Sequence, residues 1–231
     1  MEKDDALEII GQVKGFYDQF AQSFSATRQA TWGELVKFVE RVKEGERVLD
    51  LGCGNGRLLE FLKDKQVDYV GADISNQLLD IARQRYPANQ FVLIDGLNLP
   101  FPDNSFDWIF SIAVLQHVPS LELRKIFLKE TRRVLKPGGK IVLTVWYLWQ
   151  WKNISGPWLK YTLAKLFKKS TLDFGDIFYQ WREAKEVRYL HMFTVGELGR
   201  LTRQMGFMIK ESGLIKRSDK SQNIYVVATK N

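Results

Sequence analysis

The chain has a single cysteine, Cys53, among 231 residues, so no disulfide can form within it. That usage belongs to reducing compartments, and a cytoplasmic location is expected. Two histidines beside one cysteine are too few for an ordinary His/Cys metal centre, so no metal is expected. No apolar run reaches the ~18 residues that a membrane-spanning helix needs, and no membrane span is expected. The start, Met1-Glu2-Lys3-Asp4-Asp5, is acidic and polar, unlike a secretory leader. A GxxxxGK[ST] phosphate loop is also missing, which excludes that kind of nucleotide site. What is present is a chain 45% hydrophobic, long enough for one α/β domain with a full core.

Charge is unevenly placed. Residues 1–150 hold 19 basic against 20 acidic side chains, and residues 151–231 hold 15 against 7, so the net +7 arises entirely in the last third. Such asymmetry points to a polyanionic partner, nucleic acid first, against the plainer reading of a solvated basic surface.

The most informative stretch is Val48-Leu49-Asp50-Leu51-Gly52-Cys53-Gly54-Asn55-Gly56, followed by Leu58, Leu59, Phe61 and Leu62 at helical spacing. It reads as a buried strand, a tight glycine turn and a helix start. Glycine takes positive φ and lets a ligand lie against the backbone. A purely structural turn would read the same way, and Cys53 within it is a small loop filler rather than a nucleophile. Two further apolar runs, Tyr69–Ala72 and Phe91–Ile94, also close on acids, Asp73 and Asp95. With Asp50 they place carboxylates along the carboxyl edge of one sheet, where ligands bind in open α/β folds. Acids so placed suit a cofactor with a positive centre, an amine and a ribose, and repel a pyrophosphate. The residues thus favour S-adenosylmethionine over NAD or ATP.

Along the chain, apolar spacing predicts helices over about 7–22 and 32–43, the second capped by Thr31, with a polar hinge at Phe24-Ser25-Ala26-Thr27-Arg28 between them. Strands follow at about 47–51, 68–73, 91–94, 106–113 and 140–146, with helices at about 56–64, 75–86 and 121–135. Pro137-Gly138-Gly139 is a strong helix stop. A last helix, 194–205, precedes a hairpin of 207–214 and 223–229. The segments are 1–45 (N-terminal helices), 46–146 (cofactor-binding core), 147–190 (insertion) and 191–231 (C-terminal helix and hairpin), one domain over 1–231. Five of the seven tryptophans fall between Trp146 and Trp181, with lysines interleaved. That segment reads as a lid that shapes the acceptor pocket. Aromatic faces with cations suit nucleobases and phosphates; a cap over a small lipid-like or aromatic substrate is the competing reading.

These motifs, VLDLGCGNG, GADIS, IDGLNLPFPDNSFDWIFSIAVLQH and RRVLKPGGKIVLTVW, in this order, resemble those of the class I S-adenosylmethionine-dependent methyltransferases. The resemblance implies a Rossmann-like seven-stranded sheet in the order 3-2-1-4-5-7-6 with the last strand antiparallel. It implies that Asp50, Gly52, Cys53, Gly54, Gly56 and Ala113 surround the methionine part, that Asp73 and Ile74 hold the ribose and adenine, and that Asp95, Gly96 and Leu97 meet the adenine. Ile112–His117 (IAVLQH), Arg188–His191 (RYLH) and the Phe24–Arg28 stretch further resemble the tRNA wobble-uridine carboxymethyl methyltransferases. Gln116 replaces a histidine of that family's pattern, and Gln222–Tyr225 matches its chain end only in part. The narrower resemblance implies methyl esterification of a 5-carboxymethyl group in tRNA, with Tyr17 and Arg28 holding the cofactor's carboxylate. Some members also work with a small activator subunit.

A carboxylate acceptor is already ionised at neutral pH and needs a cation to orient it more than a base. Arg188 or Arg28 is the candidate anchor, Arg28 having the competing cofactor role, beside His117 and His191 as candidate catalytic residues. The alternatives left open are a small-molecule methyltransferase, acting on a quinone, lipid precursor or other metabolite, and a non-catalytic binding protein.

Overall fold

The computed structural model describes residues 1–27, 33–150, 154–180, 187–216 and 221–231. Arg28, Thr31, Trp32, Trp151, Lys152, Trp181 and Arg182 lie outside the described residues. Strands β1 (Arg47–Leu51), β2 (Asp68–Asp73), β3 (Gln90–Leu93), β4 (Phe106–Ile112), β5 (Leu135–Trp146), β8 (Phe207–Lys216) and β9 (Gln222–Lys230) form one sheet in the order β3-β2-β1-β4-β5-β9-β8. The pairs from β3 through β5 are parallel, and β9 inserts antiparallel between β5 and β8. This is the expected sheet, with β8 and β9 as its sixth and seventh strands. The extra pair β6 (Asp176–Gln180) and β7 (Val187–His191) is a separate antiparallel ribbon in the insertion.

Alternation along the strands divides the core. Leu49, Leu51 and Ile109 face helices α6 (Leu121–Val134) and α8 (Val195–Gln204). Val48, Trp108 and Phe110 face Phe38 of α3 (Val36–Val39), Leu59 and Leu62 of α4 (Leu59–Leu62) and Leu79 of α5 (Asn76–Arg85). A strand buried on both faces must be apolar throughout, which explains the continuous hydrophobic runs.

Several boundaries depart from the sequence reading for identifiable reasons. The first helix divides into α1 (Lys3–Gln19) and α2 (Ala21–Thr27), so the supposed hinge is helical through Thr27. Thr27 Oγ1 donates to the carbonyls of Ser23 and Phe24, a helix-compatible use of a short polar side chain. The expected helix at 32–43 shrinks to a 3-10 turn, Gly33–Leu35, and one turn of α3. Lys65 Nζ donates to the carbonyls of Glu40 and Val42, and the chain turns at Gly45. Helix α4 starts late because Gly56 has φ +76, outside the helical region. Finally, Pro137-Gly138-Gly139 falls inside β5: Leu135 already pairs with Phe106, and the register shifts before Lys140 meets Trp108.

The insertion is less buried than its composition suggests. Helix α7 (Ser155–Leu166) has no buried residue, and Phe167 and Phe174 are 70% and 58% exposed. Trp146 is buried, while Trp158, Tyr161 and Tyr179 are half-buried against it. No helix among the described residues is long and apolar enough to cross a membrane.

Candidate active site

The glycine turn is pinned to β2: the N–H groups of Gly52 and Cys53 donate to the Ala72 carbonyl at 2.7 and 3.1 Å. Gly52 (φ +80) lies so close to Val114 that any β-carbon would collide with it. Asp73 then locks the turn from β2. Its carboxylate accepts from Gly54 N–H at 2.7 Å and Ser75 N–H at 2.9 Å. Burial pushes the Asp73 carboxyl up, and those backbone donors only partly offset it. Asp50 is 3% exposed and accepts from Tyr69 Oη at 2.9 Å. Burial pushes Asp50 up to about 7, against the opposing Tyr69 hydrogen bond and Arg57 charge. Cys53 is buried and its thiol is pushed well up by burial and then by Asp73, so it is unreactive.

These groups line one cavity. Its wall includes Tyr17, Asp50, Gly52, Cys53, Gly54, Asp73, Ile74, Gly96, Ala113 and His117 of the predicted set, together with Trp146. Its empty volume, open mouth included, is about 1420 Å³. Ala113 carries a positive φ of 58, a strained value for a residue with a β-carbon, and its N–H is held by the carbonyl of Thr144 at 2.9 Å.

Not every predicted residue joins them. Asp95 is exposed and closes its own turn, accepting from the N–H groups of Leu97 and Asn98 at 2.8 and 2.7 Å. Neither Asp95 nor Leu97 is part of the wall, and Gly96 alone of the three reaches it. Gly56 shapes the turn from outside, with the rings of Tyr86 and Phe91 against it. His191 is turned away: Nδ1 lies 2.6 Å from Asp176 Oδ1 and Nε2 lies 2.8 Å from Glu197 Oε1, in a buried cluster with Arg124 and Tyr189.

The other two candidate catalytic residues meet through Tyr17. Tyr17 Oη is 3.0 Å from His117 Nε2 and accepts from Arg188 Nη1 at 3.3 Å. Arg188 itself is 6% exposed and stands one layer behind the wall, its guanidinium 4.7 Å from the Trp146 ring and 5.4 Å from Phe16. Burial and the Arg188 charge hold His117 well below the ordinary histidine range, so its imidazole is neutral at pH 7. Its Nδ1 faces the Tyr189 carbonyl at 3.4 Å.

Sequence reading missed how the N-terminal helices attach. Asp18 accepts from Ser75 Oγ at 2.7 Å, and Asn55 of the glycine turn donates to Ser25 Oγ at 2.9 Å. Neither contact has a local motif; each joins residues far apart in the chain.

Two carboxylates, bare backbone at positive-φ glycines and largely apolar walls fit a cationic nucleoside such as S-adenosylmethionine. Fold and cavity together are those of a class I S-adenosylmethionine-dependent methyltransferase. Residues 49–143 match the family described as a methyltransferase domain. A tRNA (carboxymethyluridine(34)-5-O)-methyltransferase of Schizosaccharomyces pombe is 33% identical over the whole of both chains. The mouse tRNA (carboxymethyluridine(34)-5-O)-methyltransferase ALKBH8 is 37% identical over 68% of this chain and 23% of its own length. The chain spans 23–39% of the length of several mammalian relatives that it matches. Among solved structures, a methyltransferase from Haloferax volcanii in complex with the Trm112 methyltransferase activator superposes with TM-score 0.69 at 21% identity, over 94% of this chain and 96% of that one. The chain belongs to the tRNA (carboxymethyluridine(34)-5-O)-methyltransferase family of S-adenosylmethionine-dependent methyltransferases.

Proposed function

We propose that this chain methylates the carboxylate of a 5-carboxymethyl-type wobble uridine in tRNA, with S-adenosylmethionine as donor. When bound, the cofactor supplies a methyl group on a sulfonium. Asp73, Asp50, Ile74 and the Gly52–Gly54 backbone would hold it, with Gly96 closing the adenine side. The acceptor carboxylate is ionised and needs no base, so the chain's task is to strip water from it and align it.

The observation that carries this reading is the Tyr17–Arg188 contact beside His117, on the same wall as the glycine turn. A hydroxyl that faces the cavity and is backed by a guanidinium is a strong donor to a carboxylate. Arg188 thus acts through Tyr17 instead of meeting the substrate directly. Neutral His117 donates from Nε2 to the same oxygen, which leaves the hydroxyl's own proton for the acceptor carboxylate. Exposed Trp149 and Phe167, with Lys160, Lys168 and Lys169 on the same acid-free stretch, support an RNA acceptor. An activator subunit, if this chain uses one, would find the edge strand β3 open, with Leu93 47% exposed.

The small-molecule reading is favoured by one feature, the apolar wall contributed by Ile10, Val13, Phe24 and Phe127. Labelled S-adenosylmethionine offered with bulk tRNA, and separately with a metabolite extract, decides between them. Label in tRNA supports the proposal; label only in the extract refutes it.

A further inference from the structure

Helices α6 and α8 lie side by side on one face of the sheet. Near the start of α6 the Arg124 guanidinium sits 5.8 Å from the Phe193 ring, just before α8. Near its end Arg132 Nε donates to the Gly206 carbonyl, just after α8, at 3.2 Å. The inner faces of both helices are spent on the core through Leu123, Phe127, Leu198 and Leu201. Their outer faces are cationic. Lys125, Lys129 and Arg132 recur at helical spacing along α6, and Arg200 and Arg203 along α8, all exposed or half-buried. Among the described residues none of these five forms an ion pair, whereas Arg124 and Arg133 on the same helix do. On these two helices the acids Glu130 and Glu197 are paired to Arg133 and His191, leaving Glu122 alone to oppose the five. At the lower end the crowding reaches Lys230, whose ammonium is held below its ordinary range by burial and then by Arg132.

The opposite face differs. There, in residues 36–46 and 59–65, Lys37, Arg41, Lys43, Lys63 and Lys65 stand among Glu40, Glu44, Glu46, Glu60 and Asp64, five against five. The array on α6 and α8 is also directional. Helix α6 starts at Leu121, four residues beyond the cavity residue His117, and runs back toward the far edge of the sheet. At 1.5 Å per residue its 14 residues extend ~20 Å, the length of several phosphate spacings.

We propose that the outer surface of α6 and α8 is the docking track for the phosphodiester backbone of the RNA whose modified base enters the cavity. This rests on the proposed tRNA substrate. Unpaired lysines and arginines spaced along two parallel helices suit a continuous polyanion, and phosphate contacts position a nucleic acid without reading its sequence. The cavity then selects the base, and the track holds the stem.

The test uses the full chain carrying Lys125→Gln, Lys129→Gln, Arg200→Gln and Arg203→Gln together, none of which touches the cavity. Binding to bulk tRNA is measured by filter retention over a salt series, beside turnover and S-adenosylmethionine affinity. A control variant, Lys43→Gln with Lys63→Gln, removes charge from the opposite face. The proposal expects the fourfold variant to bind tRNA at least about tenfold more weakly near physiological salt, with its log–log salt slope reduced by roughly 2 to 4. Its KM for tRNA should rise while kcat at saturation and cofactor affinity stay put, and the control should match wild type. An unchanged tRNA affinity and slope in the fourfold variant overturns the proposal, as does an equal loss in the control. A wild-type chain that neither binds nor methylates tRNA overturns the tRNA reading itself, which is a different result.

Discussion

The Tyr17 hydroxyl and His117 Nε2 lie 3.0 Å apart and join the first helix to the turn after β4 across 100 positions of sequence. Arg188, from the β6–β7 ribbon, donates to the same hydroxyl. Three segments thus converge on one oxygen at the cavity wall. Removing that oxygen with Tyr17→Phe preserves the ring packing against Phe16 and Phe24. Losing a charge-assisted hydrogen bond costs about 1.5–3 kcal/mol. Turnover should fall roughly 10- to 100-fold with cofactor affinity changed little. Comparable loss in cofactor affinity would put the hydroxyl on the cofactor side instead.

Arg188→Ala should leave cofactor affinity intact and abolish most turnover, because the charge behind Tyr17 is gone. Unchanged turnover removes Arg188 from the acceptor site. The same substitution should raise the His117 pKa, since the Arg188 charge is a named cause of its depression, after burial. Imidazole NMR signals followed by pH would show this. In wild type, the kcat profile should have no limb from His117 near neutrality.

Asp50 makes stability fall as pH rises. Its folded-state pKa, about 7, is raised above the ordinary 3.8. The native state therefore holds the proton more tightly, and this stability is complete below about pH 4 and lost as pH rises through about 7. Three pKa units correspond to roughly 4 kcal/mol as an upper bound. Asp50→Asn keeps an acceptor for Tyr69 and should raise the melting temperature at pH 8 but not at pH 4. A cationic ligand in the cavity should also drive the Asp50 proton off. Calorimetry of S-adenosylmethionine binding in buffers of different ionisation enthalpy should show proton release near pH 6.5 that Asp50→Asn lacks. Equal release by both proteins would contradict the assignment.

The cluster around Asp176 has the opposite sign. Burial opposes its ionisation, but His191, Arg124 and Tyr189 outweigh burial and hold the carboxyl below its ordinary range; Glu197 is lowered in the same way, chiefly by His191. Its contribution is present above about pH 4 and lost on acidification. Asp176→Asn removes the buried carboxylate 3.5 Å from the Arg124 guanidinium and should cost about 3–5 kcal/mol. Because Arg188 and Tyr189 sit on β7 beside this cluster, turnover should fall further than cofactor affinity. A variant with wild-type melting temperature and turnover would show that the cluster positions nothing.

Most of the sheet was legible because buried parallel strands leave apolar runs and the first three strand ends carried a recognisable acid or glycine. The glycine turn was legible for the same reason: Gly52, Gly54 and Gly56 are where the backbone needs positive φ. What was not legible depended on contacts distant in sequence. Asp95 looked like its neighbours Asp50 and Asp73, yet it spends its carboxylate on its own turn at Leu97 and Asn98. His191 looked like a site residue because it sits in the RYLH stretch, but strand alternation sends it away from the wall and into the Asp176 cluster. The helix after residue 32 was overcalled because its apolar spacing continues past Val39, while Lys65 draws off the carbonyls that would extend it. Asp18 and Ser25 carry no local signal at all.

The central claim is that the acceptor is a carboxylate on a tRNA uridine, held through Tyr17 and Arg188. The most direct measurement is nucleoside mass spectrometry of tRNA lacking the ester, incubated with S-adenosylmethionine and wild-type, Tyr17→Phe or Arg188→Ala protein. The account predicts a 5-carboxymethyl-type uridine gaining one methyl ester with wild type, and strongly reduced ester with either variant despite normal cofactor binding. Methyl appearing on a base, a ribose or only a small metabolite would contradict it.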